Sequence, residues 1–150
     1  MSSVNKEQLR EFLYAVDQSF PVPLSAKQNL DAFAEKLILY ATLCCEVEND
    51  RIVSMVAGYT DNVVKNMGYI SVVATRTGYH RKGYASKLVQ QFISISEHKD
   101  LSAVHLYAVS SNDAAIRMYE KLGFEKWVVE GEARPEDTHL IYRINQENKT

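Results

Sequence analysis

The chain begins with two segments in which apolar residues recur every three or four positions, the spacing that places them on one face of a helix. This pattern predicts one helix over residues 5–20, capped by Asn5 or Ser3, and a second over residues 25–40, capped by Ser25. The apolar stripes are Leu9, Phe12, Leu13 and Val16 in the first helix, and Leu30, Phe33, Leu37 and Ile38 in the second. A Pro-Val-Pro segment between them predicts a stiff, extended connector.

From residue 42 onward, strand-like and helix-like spacing alternate. Strands are predicted over residues 42–47, 52–59, 68–76, 103–109, 124–130 and 138–144, and helices over residues 82–98 and 112–122. Gly123 follows the last helix as its C′ residue, and residues 145–150 are expected to be a frayed polar tail. The order α-α-β-β-β-α-β-α-β-β predicts one mixed α/β domain over residues 1–150, with a parallel step near its centre and antiparallel hairpins on either side.

The composition is ordinary for a globular domain and excludes several classes of partner. The chain has 150 residues, 46% apolar and 24% charged, with a formal net charge of −2. That charge predicts no binding to nucleic acid or to an anionic membrane, and no apolar run approaches the length of about 18 residues that a membrane span needs. Cys44 and Cys45 are adjacent, so a disulfide between them would be strained. The sequence contains no cysteine spacing of the kind that binds zinc, so it predicts no metal site. With a polar N-terminus that lacks a signal segment, we expect a cytoplasmic protein.

A basic, small-residue loop joins the third predicted strand to the helix over residues 82–98. It contains Gly78 and Gly83 around the cluster His80, Arg81 and Lys82. Backbone N–H groups of such a loop, together with the positive end of the helix dipole, suit a phosphate group. The spacing fits neither a Walker A loop nor a dinucleotide fingerprint. The loop alone is equally compatible with an ordinary basic turn.

A second motif begins where the strand over residues 103–109 ends. Asn112, Ile116 and Tyr119 fall on nearly one face of the following helix, and small residues at positions 114 and 115 leave its first turn thin. This arrangement offers a ligand an amide and a phenol. The structural alternative is that Asn112 is only an N-cap and Tyr119 a half-buried core residue.

Taken together, the two motifs resemble those of the GNAT superfamily of N-acetyltransferases. That family's loop reads Gln/Arg-x-x-Gly-x-Gly/Ala, matched here by residues 80–85, with His80 at the position of the usual Gln or Arg. Its downstream segment reads approximately Asn-x-x-Ala-x-x-Leu/Met-Tyr-x-x-x-Gly-Phe, matched by residues 112–124. The order of elements extends the resemblance over residues 42–144. It implies an α/β (α+β) fold whose central parallel strands splay apart, commonly with a bulge.

The resemblance also implies an activity and a set of contacts. The chain would transfer an acetyl group from acetyl-CoA, its co-substrate, to a primary amine by direct attack in a ternary complex. Residues at the cofactor site would be Val73, Ala74, Thr75, His80, Arg81, Lys82, Gly83, Tyr84, Ala85, Ser86, Asn112 and Tyr119. The strand residues would pair with the pantetheine arm, the loop would surround the pyrophosphate, and Tyr119 would protonate the departing thiolate. The segment at residues 74–77 departs from the valine and proline found there in many members, so a different bend is expected.

Several points stay open on the sequence alone. Candidates for the general base are Glu46, Glu48, Asp61, Glu97, His105 and Tyr107, with Asp61 and Tyr69 also expected to flank the substrate side, and a water chain is a further possibility. The acceptor is a small-molecule amine or a protein or peptide amine, and the negative charge slightly favours a cationic small amine. Dimerisation is implied by the resemblance alone. The alternatives to an enzyme are an acyl-CoA-binding module without transfer activity and a protein-interaction domain.

Overall fold

The computed structural model describes residues 4–132 and 134–144, so the predictions for Ser3 and for residues 145–150 lie outside the described residues. The described helices are α1 (Lys6–Val16), α2 (Leu30–Tyr40), α3 (Tyr84–His98) and α4 (Asp113–Leu122). The described strands are β1 (Thr42–Glu48), β2 (Arg51–Tyr59), β3 (Met67–Thr75), β4 (Ala103–Val109), β5 (Glu125–Lys126) and β6 (Asp137–Arg143). Short 3-10 turns occupy Asp17–Ser19, Leu24–Ala26 and Val64–Asn66. Among these residues, no helix combines the length and the apolar character that crossing a membrane requires.

The six strands form one mixed sheet in the order β1-β2-β3-β4-β6-β5, with an apolar core on each face. Helices α1 and α2 cover one face, where Met55 and Val72 are buried. Helices α3 and α4 cover the other, where Val56 and Ile70 are buried. Because neighbouring strand residues point to opposite faces, the central strands supply both cores. The predicted mixed α/β architecture and element order are confirmed.

Two predicted boundaries in the N-terminal part are wrong. Helix α1 begins with the predicted cap, since the Asn5 side chain accepts from the Gln8 backbone and the Gln8 side chain accepts in return, but it ends at Val16 instead of residue 20. Helix α2 is capped by Asn29, not Ser25. Ser25 instead donates its N–H and hydroxyl to Asp17 at 2.8 and 2.6 Å, which fixes the connector between the helices.

The strand predicted over residues 124–130 is also shorter than expected. Only Glu125–Lys126 pair as a strand, against Ile141 and Leu140 of β6. Phe124 belongs to the core, and the Trp127 N–H still donates to the His139 carbonyl at 2.9 Å. Val128 is 92% exposed, so the chain beyond Trp127 has no sheet partner to hold it extended.

The central parallel strands separate as the family resemblance implies. Strands β3 and β4 pair only from Met67–Ile70 against Ala103–Leu106, and then diverge. At this point β3 carries a bulge, because Ala57 pairs with Val72 and Gly58 with Ile70, which leaves Ser71 as the extra residue. Only a glycine fits at position 58, since a Cβ there would lie 2.2 Å from the Tyr69 carbonyl oxygen.

Candidate active site

The loop between β3 and α3 is built to expose backbone donors. Gly78, Arg81 and Gly83 have positive φ angles of 96°, 67° and 78°. A Cβ on either glycine would meet nothing within 4 Å, so these glycines are required by backbone conformation and not by space. Gly83 is the N-cap of α3 and no side chain caps the helix there, so the N–H groups of its first turn keep their donor capacity. His80, Arg81 and Lys82 are exposed around them.

The Tyr84 side chain is turned away from the loop. Its hydroxyl donates to Glu48 Oε2 at 2.5 Å, and this bond is the main cause that raises the pKa of Tyr84 to about 12. One turn further on, Lys87 Nζ lies 2.5 Å from Glu46 Oε1. These contacts tie α3 to β1. At the loop, Tyr84 therefore contributes only its backbone N–H as a hydrogen-bond donor. Ala85 and Ser86 also contribute backbone N–H groups there.

The end of β3 presents a free backbone edge toward β4. Val73, Ala74 and Thr75 pair with β2 on one side, while pairing with β4 has already ended at Ile70. The Thr75 hydroxyl is 2.8 Å from the Ser54 hydroxyl, which also donates to the Ala74 carbonyl at 3.2 Å. The opposite edge of these residues has no strand partner in the described part of the chain, and the pairing with a pantetheine arm that the family resemblance implies stays a prediction.

Sequence reasoning missed the residue that holds the exit of β3. Arg76 is 9% exposed and donates to both carboxylate oxygens of Glu11, at 2.9 and 2.6 Å. It also donates to the Ile52 carbonyl from Nε and Nη2, at 3.1 and 2.8 Å. The Arg76 hydrogen bond is the main cause that lowers the pKa of Glu11. A buried guanidinium therefore fixes the exit of β3 in this chain.

Helix α4 positions Asn112 and Tyr119 as two different kinds of group. The Asn112 side-chain oxygen accepts from the Ala115 N–H at 3.2 Å, so it is an N-cap whose amide NH₂ is left to donate. Tyr119 is 6% exposed, and its ring meets Phe124 with centroids 5.6 Å apart. Burial raises the pKa of Tyr119 above the ordinary value, so its hydroxyl stays protonated. Asn112 is therefore an N-cap and Tyr119 a core residue, as the structural alternative stated. Both can still donate, through the Asn112 NH₂ and the Tyr119 hydroxyl.

A pocket of about 400 Å³ lies over the paired segment of β3 and β4, beside the end of β2 and the loop that leads into β3. It is lined by Tyr59, Asn62, Val63, Val64, Met67, Tyr69, His105, Tyr107 and Arg134. His105 and Tyr107 alternate along β4 with residues of the α3/α4 core, so they project from the opposite face of the sheet. The rings of Tyr69 and His105 lie 5.1 Å apart, and those of Tyr69 and Tyr107 lie 6.3 Å apart.

Behind the pocket wall, β6 and the loop before it supply two residues that sequence reasoning missed. His105 Nδ1 lies 2.8 Å from His139 Nε2, and His139 Nδ1 lies 3.0 Å from Glu132 Oε1. The Tyr107 hydroxyl also donates to Glu132 Oε1, and Arg134 covers the Tyr107 ring at 3.8 Å. Burial is the main cause that lowers the pKa of His105 to about 4, and His139 is the second cause. The pKa of Glu132 is also lowered, mainly because the Tyr107 hydroxyl donates a hydrogen bond to its carboxylate.

The structure separates the candidates for the general base. Glu46 and Glu48 are engaged by Lys87 and Tyr84, and Asp61 is paired with Lys99 at 3.0 Å. Glu97 is exposed on α3, which covers the opposite face of the sheet from the pocket. Only His105, Tyr107 and Tyr69 of the predicted set line the pocket.

The chain belongs to the acetyltransferase (GNAT) family, whose model matches residues 6–124. An uncharacterized N-acetyltransferase, CgeE, of Bacillus subtilis is 41% identical over 58 residues, which are 39% of this chain and 22% of that protein. The ribosomal-protein-S18-alanine N-acetyltransferase of Escherichia coli has a similar structure, with a TM-score of 0.75 and 21% identity over 95% of this chain and 92% of that one. PaiA N-acetyltransferase of Thermoplasma acidophilum, solved in complex with coenzyme A, gives a TM-score of 0.73 and 13% identity over 95% and 97% of the two chains. The chain spans between about a fifth and a half of the length of the curated relatives it matches.

Proposed function

We propose that this chain is an acetyl-CoA-dependent N-acetyltransferase that moves an acetyl group to a primary amine by direct attack in a ternary complex. The observation that carries the proposal is the separation of β3 from β4 beyond Ile70, because the same strand lines the aromatic pocket with Tyr69 and leads into the exposed amides at the start of α3. Family membership and a fold shared with acetyltransferases support it. The two free cysteines, Cys44 and Cys45, further support a reducing compartment such as the cytoplasm.

The residues present fit acetyl-CoA as a substrate. The first-turn amides of α3, with Arg81 and Lys82 beside them, suit the charge of a pyrophosphate. The free edge of β3 from Val73 to Thr75 suits the amide groups of a pantetheine arm, and the Asn112 NH₂ adds a donor at the start of α4. Acetyl-CoA would supply the activated acyl group, and this chain would orient it and exclude water from it.

The chemistry requires two proton movements on the protein. As the amine nitrogen bonds to the thioester carbonyl carbon, the carbon–sulfur bond breaks and the thiolate takes a proton from Tyr119. A phenol and a thiolate have similar basicity, so Tyr119, which burial keeps protonated, is suited to act as the acid. The amine loses its proton to a group in the pocket, for which His105 has the most suitable placement.

The pocket favours an amine carried beside an apolar or aromatic group. Its lining is dominated by aromatic and aliphatic side chains, and no carboxylate belongs to it among the described residues. Among the described residues, Arg134 is the one cationic side chain that lines the pocket. A polycation gains nothing in such surroundings, so the cationic small amine favoured by net charge is a poorer fit. We infer that the acceptor is the free N-terminus of a peptide with an apolar first side chain, and the E. coli ribosomal-protein-alanine relative supports this class.

A thiol-release assay tests the proposal directly. The purified chain is given acetyl-CoA with a peptide beginning Met-Leu, with the same peptide already acetylated, and with spermidine. We expect thiol release with the free peptide only. Binding of acetyl-CoA by calorimetry without release on any amine would support the non-catalytic binding module instead. No thermal stabilisation by CoA would point to the interaction domain, because a ligand that binds the folded state must stabilise it.

A further inference from the structure

Three titratable side chains from different parts of the chain form one hydrogen-bonded row that ends at the pocket. His105 comes from β4, His139 from β6, and Glu132 from the loop before β6. The two links measure 2.8 Å between the imidazoles and 3.0 Å between His139 and the carboxylate. The His139 side chain is only 6% exposed and that of Glu132 is 20% exposed, so this row crosses from the pocket wall toward solvent.

The donors and acceptors in the row allow one arrangement of protons when both imidazoles are neutral. An ionised Glu132 accepts only, so His139 must carry its proton on Nδ1. His139 Nε2 is then bare and must accept, so His105 carries its proton on Nδ1 as well. His105 Nε2 is left as a free lone pair on a side chain that lines the pocket, with no partner among the described residues.

We propose that Glu132 and His139 are positioning residues that make His105 the proton acceptor for the incoming amine and relay that proton away from the pocket. The proposal rests on the acetyl-transfer function argued above. In this relay, His105 Nε2 takes a proton from the amine as the carbon–nitrogen bond forms. The His105 Nδ1 proton passes to His139 Nε2, and the positive charge comes to rest on His139 beside the Glu132 carboxylate.

The surroundings explain why a relay is needed. A lone imidazolium at His105 is disfavoured by burial, whereas the same charge on His139 lies 3.0 Å from a carboxylate. Tyr107 donates to that carboxylate and holds it in place. Arg134 is the cation that opposes the charge, and its partner Asp137, at 3.2 Å, offsets it. Tyr69 and Trp127 face the imidazoles with neutral rings.

The decisive variants keep the hydrogen bonds while removing the ability to hold charge or a proton. In H139Q, an amide oxygen can still accept from His105 Nδ1 but cannot take its proton. In E132Q, the carbonyl can still accept from His139 Nδ1 without the negative charge. The matched control is H98Q, since His98 Nδ1 lies 2.8 Å from the Ser94 carbonyl at an exposed position of α3. With the acetyl-CoA assay on a Met-Leu peptide, we expect kcat to fall about 100-fold in H139Q and about tenfold in E132Q, with the acceptor KM within about twofold.

A titration of the imidazole resonances by NMR gives a readout that does not depend on turnover. In the wild type, we expect the His105 signals to titrate at about pH 4, because burial lowers the pKa of that imidazole. E132Q is expected to lower the pKa of His105 further, because the Glu132 charge that raises it is gone. H98Q should leave both the His105 titration and kcat unchanged.

Two results would overturn the proposal. One is a folded H139Q protein with wild-type kcat and an unchanged pH profile, which would make His139 structural. The other is an imidazole titration that E132Q leaves unaltered, and E132Q serves as well if H139Q fails to fold. A His105 titration that responds to E132Q in a protein that acetylates no acceptor would reject the acetyl-transfer function while retaining the link between the three side chains.

Discussion

Arg76 offers a test of how the fold holds in place the end of β3, the strand proposed to bind acetyl-CoA. The substitution R76M keeps an apolar stem beside Phe12, where the guanidinium now lies 5.6 Å from the ring centroid, and removes all four hydrogen bonds to Glu11 and Ile52. Loss of the two bonds to the buried Ile52 carbonyl costs about 1–3 kcal/mol. The bonds to Glu11 add only about 1 kcal/mol, because that carboxylate is 43% exposed and is screened by solvent.

The combined loss of about 3 kcal/mol predicts a Tm lower by about 10 °C for a chain of this size. Differential scanning calorimetry measures it, and the KM for acetyl-CoA is expected to rise in the same variant because Arg76 fixes the exit of β3. The matched control is R51M. Arg51 contacts the same Glu11 carboxylate at 3.1 Å but is 59% exposed, so its loss should shift Tm by no more than about 2 °C.

The pH dependence of this difference has a definite sign. The Arg76 hydrogen bond lowers the pKa of Glu11 from 4.5, so the pair stabilises the folded state above that pH. That contribution is lost as pH falls through the lower folded-state pKa. The Tm gap between wild type and R76M should therefore narrow as pH falls below 4.5. An R76M protein that melts with the wild type at neutral pH would refute this account of the buried guanidinium.

Three further substitutions test the site and the bulge. Y119F should lower kcat at least 100-fold with acetyl-CoA affinity retained, because only the acidic proton is lost; normal turnover would refute its role as the acid. G83A should weaken acetyl-CoA binding in calorimetry, because alanine is strained at a φ angle of 78°. The control is G131A, which places the same strain in a different loop at a φ angle of 84°; equal weakening there would show a global effect instead. G58A should abolish soluble folded protein, because the new Cβ would lie 2.2 Å from the Tyr69 oxygen, and a native circular dichroism melt would contradict the described bulge.

Local patterns in the sequence were enough to find most elements and the two motifs that resemble those of the family. The limits of β4 were predicted without error, and the Asn112 cap and the Gly123 C′ residue lie where the pattern placed them. These features depend on residues within a few positions of one another, whose spacing and conformational preferences are written directly in the chain. The same locality explains the error at Ser25, where a good capping residue was claimed by Asp17 through a contact that no local pattern shows.

Tertiary structure decided which side chains meet. Strand β6 lies between β4 and β5, and its register sets His139 opposite Tyr107 and within reach of His105. No periodicity encodes that register, since it results from packing two cores on one sheet. Arg76 and Glu11 are brought together across 65 positions in the same way. The sequence by itself therefore determined the family and the loop proposed to bind acetyl-CoA, which are local, whereas the proposed proton relay and the strand anchor at Arg76 exist only because distant segments pair.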